Sequence, residues 1–306
     1  MKLILKKAFI LMCCIASIKS LYAQQDPLFS QYAFNTLSIN PAYSGTKQGI
    51  SAAAISRFQW VGFDGGAPIT HSVVLHSPVA QQVGLGASIT YDIQGPTTQL
   101  YVNADAAYHL PIDRRSNLSF GLKLGFAQFR TDFNELIIRD ESDQILTGVV
   151  SEIKPNIGAG AYYYSDKMYV GFSIPRMLKS EFTENIQELQ VYYYVIAGYV
   201  ARVSQSIQLR PTVLLRASEG VPYHMDISPA AIFHDRFLVG LTYRFTPEIG
   251  AVFQYWLDNG VKIGYAYDYP LNVLNTQTMG SHEIMLGLDL NAKNKKKKVY
   301  SPRFFE

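Results

Sequence analysis

Alternation with a period of two runs through most of this chain, and it limits the possible folds more than any motif does. From Phe237 the odd positions are Phe237, Val239, Leu241, Tyr243 and Phe245, while the even ones are Leu238, Gly240, Thr242, Arg244 and Thr246. Such a repeat places the two sets on opposite faces of a pleated strand, one apolar and one mostly polar or small. The pattern returns at Ile249, Ala251, Phe253, Tyr255 and Leu257, and again at Val261, Ile263, Tyr265, Tyr267 and Tyr269. Asp258-Asn259-Gly260 lies between these two runs and signals a tight hairpin. Runs at 83–92, 118–127, 207–216 and 283–290 repeat the alternation, with weaker ones near 48–61, 69–76, 97–110, 152–164, 167–174, 190–202 and 223–233.

Only 17% of the residues are charged, whereas soluble domains carry about a quarter. A soluble sandwich or propeller would also alternate, but its outward face should be rich in Lys, Glu and Thr; here the less apolar face is rich in Gly, Ala and Ser. Beyond residue 23 no apolar run reaches the 18 residues that mark a spanning helix, which leaves spanning strands open. Lipid offers backbone amides no hydrogen-bond partner, so strands can span it only as a closed sheet. The expectation is an all-β fold, a transmembrane antiparallel β-barrel of about 14 strands with a short N-terminal non-strand segment. If the first strand runs outward, the long connections at 131–151, 175–189 and 270–280 share the outer end. The short ones at 113–116, 165–167, 203–206, 234–235 and 258–260 then share the periplasmic end, the arrangement of outer-membrane barrels.

The N-terminus has the three parts of a secretory leader: Lys2, Lys6 and Lys7, an apolar run from Ala8 to Ile18, and Ala23 before Gln24. Removing residues 1–23 takes away four lysines and leaves 23 basic against 24 acidic residues. Both cysteines, Cys13 and Cys14, leave with the leader, so disulfides and thiolate chemistry are excluded from the mature chain. The expected layout is a signal peptide at 1–23, an N-terminal periplasmic or lumenal segment at 24–46, an outer-membrane barrel at 47–290 and a Lys-rich tail at 291–306. Five lysines crowd positions 293–298, a run that reads as solvated, and no basic surface suited to nucleic acid spreads over the body.

Chemistry is hard to find. The six histidines lack metal-site spacing, and neither His71-Ser72 nor His224-Met225-Asp226 sits in a nucleophile elbow, so neither an enzyme, a metal nor a cofactor is expected. Gly84-Leu85-Gly86 and Gly158-Ala159-Gly160 fall inside strands with no helix start after them. They fit close approach of a backbone or lumen plug better than phosphate binding. Charges on the inward face, Asp105, Lys123, Arg210, Arg216, Arg244, Lys262, Asp268, Glu283 and Asp289, would either line a channel or pair within a plugged lumen. The triplets Tyr162-Tyr163-Tyr164 and Tyr192-Tyr193-Tyr194, Tyr265-Tyr267-Tyr269, Trp60 and Tyr255-Trp256 suit interfacial girdles, with core aromatics as the plainer alternative.

One segment resists the alternation. Gln25-Asp26-Pro27-Leu28-Phe29-Ser30-Gln31-Tyr32-Ala33-Phe34-Asn35, followed by Asn40-Pro41-Ala42-Tyr43-Ser44-Gly45, resembles the opening of the PorP/SprF family of the Bacteroidetes type IX secretion system. Arg57-Phe58-Gln59-Trp60-Val61-Gly62, Gly66-Ala67-Pro68-Ile69-Thr70, Gly84-Leu85-Gly86 and Asn156-Ile157-Gly158-Ala159-Gly160-Ala161-Tyr162-Tyr163 look like further blocks of that family. The resemblance implies a non-catalytic barrel in the outer membrane. Its partners would be lipid, periplasmic ring proteins of the secretion apparatus, and the C-terminal sorting domain of a large secreted adhesin of the gliding-motility type. A passive porin or small-solute transporter is the alternative function. Asp-Pro and Asn-Pro breakers keep the N-terminal segment out of the sheet, so it either packs in the lumen, meets a partner, or caps the periplasmic rim. The candidate partner-binding or plug residues are Asp26, Pro27, Phe29, Gln31, Tyr32, Phe34, Asn35, Asn40, Pro41, Tyr43, Arg57, Gln59 and Trp60.

Overall fold

The computed structural model describes residues 28–135, 148–181, 188–219, 221–245 and 247–291. Asp26, Pro27, the leader and the lysine tail lie outside the described residues. Fourteen antiparallel strands form one closed wall. They are β1 (Gly49–Phe58), β2 (Ile69–Ala80), β3 (Val83–Gln94), β4 (Thr97–Pro111), β5 (Ser116–Asp132), β6 (Val149–Ser165) and β7 (Met168–Ile174). The second half is β8 (Tyr192–Tyr199 with Ala201–Arg202), β9 (Ile207–Leu209 with Thr212–Ser218), β10 (Val221–Ser228 with Ala230–Phe233), β11 (Phe237–Arg244), β12 (Glu248–Trp256), β13 (Val261–Pro270) and β14 (Ser281–Asn291). Each strand pairs with its sequence neighbours, and β1 closes the ring on β14 from Gly49↔Asn291 to Phe58↔His282. A ring leaves no free edge strand, and ladders join neighbours around the wall except where β6 (Val149–Gly158) extends past the end of β7.

The alternation read from sequence maps onto inside and outside. Along β11 the odd residues Phe237, Val239, Leu241 and Tyr243 are exposed, whereas Leu238, Thr242 and Arg244 are buried. Leu122, Leu124, Ile263, Ile284 and Leu286 continue this exposed apolar belt around the barrel. Uncompensated in water, such a belt matches acyl chains. The connections after β1, β5, β7 and β13 leave the wall at one end, here the loop end, together with the short ones after β3, β9 and β11; those at 81–82, 112–115, 166–167, 203–206, 234–236 and 257–260, all short, lie at the other, the turn end. In outer-membrane barrels such short turns face the periplasm and the longer loops the outside. Strand β7 is short, and beyond it the chain leaves the wall: the Met177 N–H still reaches the Ile157 carbonyl at 2.8 Å, while Arg176 swings inward to lie 4.7 Å from the Tyr101 ring. No helix among the described residues is long and apolar enough to cross a membrane.

The girdle reading needs correction. Tyr162, Tyr164, Tyr192, Tyr194 and Trp256 are buried inside the barrel; Tyr193, Tyr265 and Tyr269 are exposed on the outer face. In each triplet the pleat turns the outer two rings inward and the middle one outward. The inward rings have something to pack against, because the lumen is filled.

Candidate functional site

Residues 28–46 form a strap that runs through the lumen. Its short turns, a 3₁₀ turn at Tyr32–Phe34, the single helical turn α1 (Thr36–Ile39) and a second 3₁₀ turn at Pro41–Tyr43, replace the alternation that the sequence lacks here. The Ala42 N–H donates to Asn40 Oδ1 at 3.0 Å, capping the second 3₁₀ turn, whose first residue is Pro41, where a missing N–H costs nothing.

The wall is carved to receive this strap. A Cβ at Gly121 would overlap the main chain of Pro41 and Ala42, one at Gly160 the Asn40 amide, and one at Gly84 the Ser44 carbonyl. Gly84 and Gly121 therefore let two backbones touch, Gly86 and Gly160 make room for the strap's Leu37, Ser44 and Asn40 side chains, and Gly84, Gly86 and Gly160 thus admit a lumen plug as the sequence suggested; Gly158 instead admits Pro175. Asn40 Nδ2 donates to the carbonyls of Ala161 (3.1 Å) and Phe172 (3.4 Å), joining the strap to β6 and β7. The Ser119 and Ser173 hydroxyls donate to the Ala42 and Ile39 carbonyls at 2.6 and 2.7 Å. The Gly45 N–H donates to His76 Nδ1 at 3.1 Å, and His109 Nε2 donates to the Ser44 carbonyl at 2.8 Å. That direction assigns His109 Nδ1 as the acceptor of the Tyr164 hydroxyl at 3.1 Å. Tyr43 meets Tyr162 edge-on at 5.6 Å and His76 at 5.1 Å. Burial pushes the Tyr32 and Tyr43 phenols well above their ordinary range, so both rings stay neutral.

Toward the loop end the attachment turns ionic. The Ser30 and Gln31 N–H groups donate to the two carboxylate oxygens of Glu283 at 2.6 and 3.1 Å, and the Ser30 hydroxyl donates to Asp268 at 2.5 Å. Arg57 Nη1 lies 2.5 Å from both Asp268 and Glu283, which are 1% and 0% exposed. Arg244 holds Asp226 at 3.2 Å through Nε and Glu248 through Nη1. Register creates these contacts: Arg57 sits opposite Glu283, and Arg244 opposite both Asp226 and Glu248. Gly250, opposite Asp268, leaves the space that the carboxylate occupies. Below this network Gln254 donates to Gln31 Oε1 at 2.9 Å, and Phe34 packs between Trp256 (6.4 Å) and the Arg210 guanidinium (4.5 Å). In the middle of the wall Lys123 pairs with Asp105 at 2.7 Å, and at the turn end Asp289 bridges Lys47 (2.7 Å) and Lys262 (2.6 Å). Burial is the largest influence on Lys47, pulling its ammonium down to about 8; Lys262 adds to this and Asp289 opposes it.

Most of the sequence-derived candidates thus meet at one place. Phe29, Gln31, Tyr32, Phe34, Asn35, Asn40, Pro41 and Tyr43 are strap residues, and Arg57 is their anchor on the wall. Gln59 and Trp60 stand apart: they follow β1 in the first loop and line a vestibule of about 330 Å³ above the strap, together with Leu28, Arg57, His224 and Glu248. Trp60 adopts a left-handed backbone (φ 51°) and is held by its N–H to the Ser281 hydroxyl at 3.1 Å. Glu248 and Lys47 were not singled out from the sequence, and Asp226 and Ser30 were noted only within longer motifs, not as partners of the strap. Parity would have found Glu248, which shares its face with Gly250 and Gln254. Among the described residues no group of three or more His, Cys, Asp or Glu side chains is placed to hold a metal ion.

The family model described as type IX secretion system membrane protein PorP/SprF matches residues 21–288. The chain belongs to the PorP/SprF family. No curated protein matches it. Among solved structures, a Pseudomonas aeruginosa FadL homologue is similar at 10% identity, covering 87% of this chain and 94% of its own, with a TM-score of 0.50. The Ralstonia pickettii toluene transporter TbuX is similar at 10% identity, covering 81% and 91%, also with a TM-score of 0.50. At such identity these likenesses speak for the outer-membrane-type barrel fold of this PorP/SprF protein and for nothing about what it handles.

Proposed function

We propose that this PorP/SprF protein is a non-catalytic outer-membrane component that supports secretion or surface anchoring of a large adhesin-like protein of the gliding-motility type. Its contacts would run to the adhesin's C-terminal sorting domain and to the periplasmic ring of the type IX apparatus. The observation that carries this reading is the strap: buried ion pairs and main-chain contacts close the lumen, which suits a holder of protein partners better than a conduit for solutes. The vestibule over the strap and the loops around it then serve as contact surface. Outer-membrane placement after removal of residues 1–23 completes the reading.

Affinity recovery from native membranes tests it. A tagged copy should bring down a large secreted protein or ring subunits. Steady conductance in planar bilayers with no such recovery would favour the passive porin instead. Deleting residues 25–45 should leave the barrel inserted while weakening secretion or partner retention, and unchanged secretion in that variant would defeat the role given to the strap.

A further inference from the structure

Two histidines stand on the outer face of the wall, near the loop end and beside the closing seam. Register across β13, β14, β1 and β2 brings the outward residues Tyr267, His282 and Phe58 into one row and Tyr265, Ser56 and His71 into the next. His71 Nδ1 lies 2.9 Å from the Ser56 hydroxyl, and His282 Nδ1 lies 2.6 Å from the Tyr265 hydroxyl. Phe58 meets the His71 ring edge-on at 6.2 Å, and Tyr267 lies 5.2 Å from the His282 ring. Each imidazole is fixed by one hydroxyl and one aromatic ring. With the hydroxyls donating to Nδ1, each Nε2 carries the ring proton. Neither Nε2 has a hydrogen-bond partner among the described residues.

Depth decides what such a donor can meet. Toward the turn end on the same sheet the outward residues are Val73, Leu75, Ile263 and Leu286, all exposed and all within the belt that matches acyl chains. A donor without an acceptor is costly in hydrocarbon, so the two rings stand where the belt gives way to headgroups. Charge then selects the headgroup atom. Asp268 and Glu283, the carboxylates nearest in sequence, point inward and are buried, and among the described residues no carboxylate shares the outward face of these four strands. Two N–H donors with no acid beside them suit phosphate oxygens. Two strand spacings and a two-residue offset hold the rings roughly 12 Å apart, too far for one phosphate to touch both.

We propose that His71 and His282 hold phosphate-bearing lipid headgroups of the outer leaflet, one at each ring, on either side of β1. The inference rests on outer-membrane placement with the turns facing the periplasm and stands independently of the anchoring role.

Lipid retention tests it. Detergent-purified protein is given dioleoyl phosphatidic acid or dioleoylglycerol, which share acyl chains and differ in the phosphate, and the adducts are read by native mass spectrometry. Phosphatidic acid should be retained about tenfold more or better, the scale of one hydrogen bond to a charged group. His71→Phe and His282→Phe keep a ring in each place and should each reduce that retention, and the double variant should lose the preference. Tyr193→Phe, on the outer face of β8, should leave it unchanged, and heat-modifiable migration on gels shows that each variant is folded. Equal retention of the two lipids by the wild type, a preference that survives in the folded double variant, or an equal loss in Tyr193→Phe would overturn the site. Absence of the wild-type chain from the outer-membrane fraction would overturn placement and site together.

Discussion

Replacing Arg57 by Met should open the barrel. In the wild-type lumen Arg57 faces two carboxylates, Asp268 and Glu283, at 2.5 Å and a third, Glu248, at 3.7 Å. Removing the cation leaves those acids buried with Arg244 as the nearest remaining guanidinium, and stranding one partner of a buried pair costs about 3–5 kcal/mol. The strap shares the loss, because its Ser30 and Gln31 amides and Ser30 hydroxyl bind the same acids. At about 1.4 kcal/mol per tenfold, docking should weaken by roughly two to three and a half orders of magnitude. The wall should survive, since β1 keeps its ladders with β2 and β14. The purified variant should show frequent large conductance events in planar bilayers, and protease should cut within residues 28–46. Adding Glu283→Gln should restore part of the closure by removing one stranded charge. A quiet bilayer and a protected strap in Arg57→Met would refute the claim that this network holds the strap.

Gly121→Val forces a side chain into the Pro41–Ala42 main chain, so the strap should lift at a cost of about 1–3 kcal/mol or more, read as increased conductance with the barrel still folded. Lys47 carries a depressed pKa of about 8 against 10.5 when undocked. Between those values the free strap binds more protons than the docked one, so docking tightens as pH rises through this window and is flat below it; protease protection against pH measures the slope. Lys47→Met should abolish that slope without weakening docking at pH 7, because Asp289 keeps Lys262. Leu241→Arg on the outer face should cost about 2–4 kcal/mol if it sits near the bilayer midplane, seen as loss of the heat-modifiable folded band on gels.

The wall was legible because lipid and lumen demand opposite chemistry from neighbouring residues, and a period of two survives in the sequence as Phe237 to Thr246 does. The glycine role at 84, 86 and 160 was legible for a related reason: an inward position without a side chain implies that something comes close. Where the strap would lie was not. Asp-Pro and Asn-Pro breakers say that a segment leaves the sheet, but lumen, rim and partner remain equal until contacts across more than two hundred residues, such as Ser30 with Glu283, are in place. The tyrosine triplets misled because amphipathic rings serve a headgroup layer and a packed interior equally well, and only the occupant of the lumen separates the two uses.

The strap enters β1 after two intervening residues, Lys47 and Gln48, and β1 is also one side of the closing seam with β14. The same strand that carries the strap into the wall therefore also carries one half of the seam, and the lumenal glycines leave the strap no spare clearance. The diameter of the cylinder is then matched to its own amino-terminal filling, and lumenal positions such as Gly121 answer to that filling while Leu122 beside it answers only to lipid.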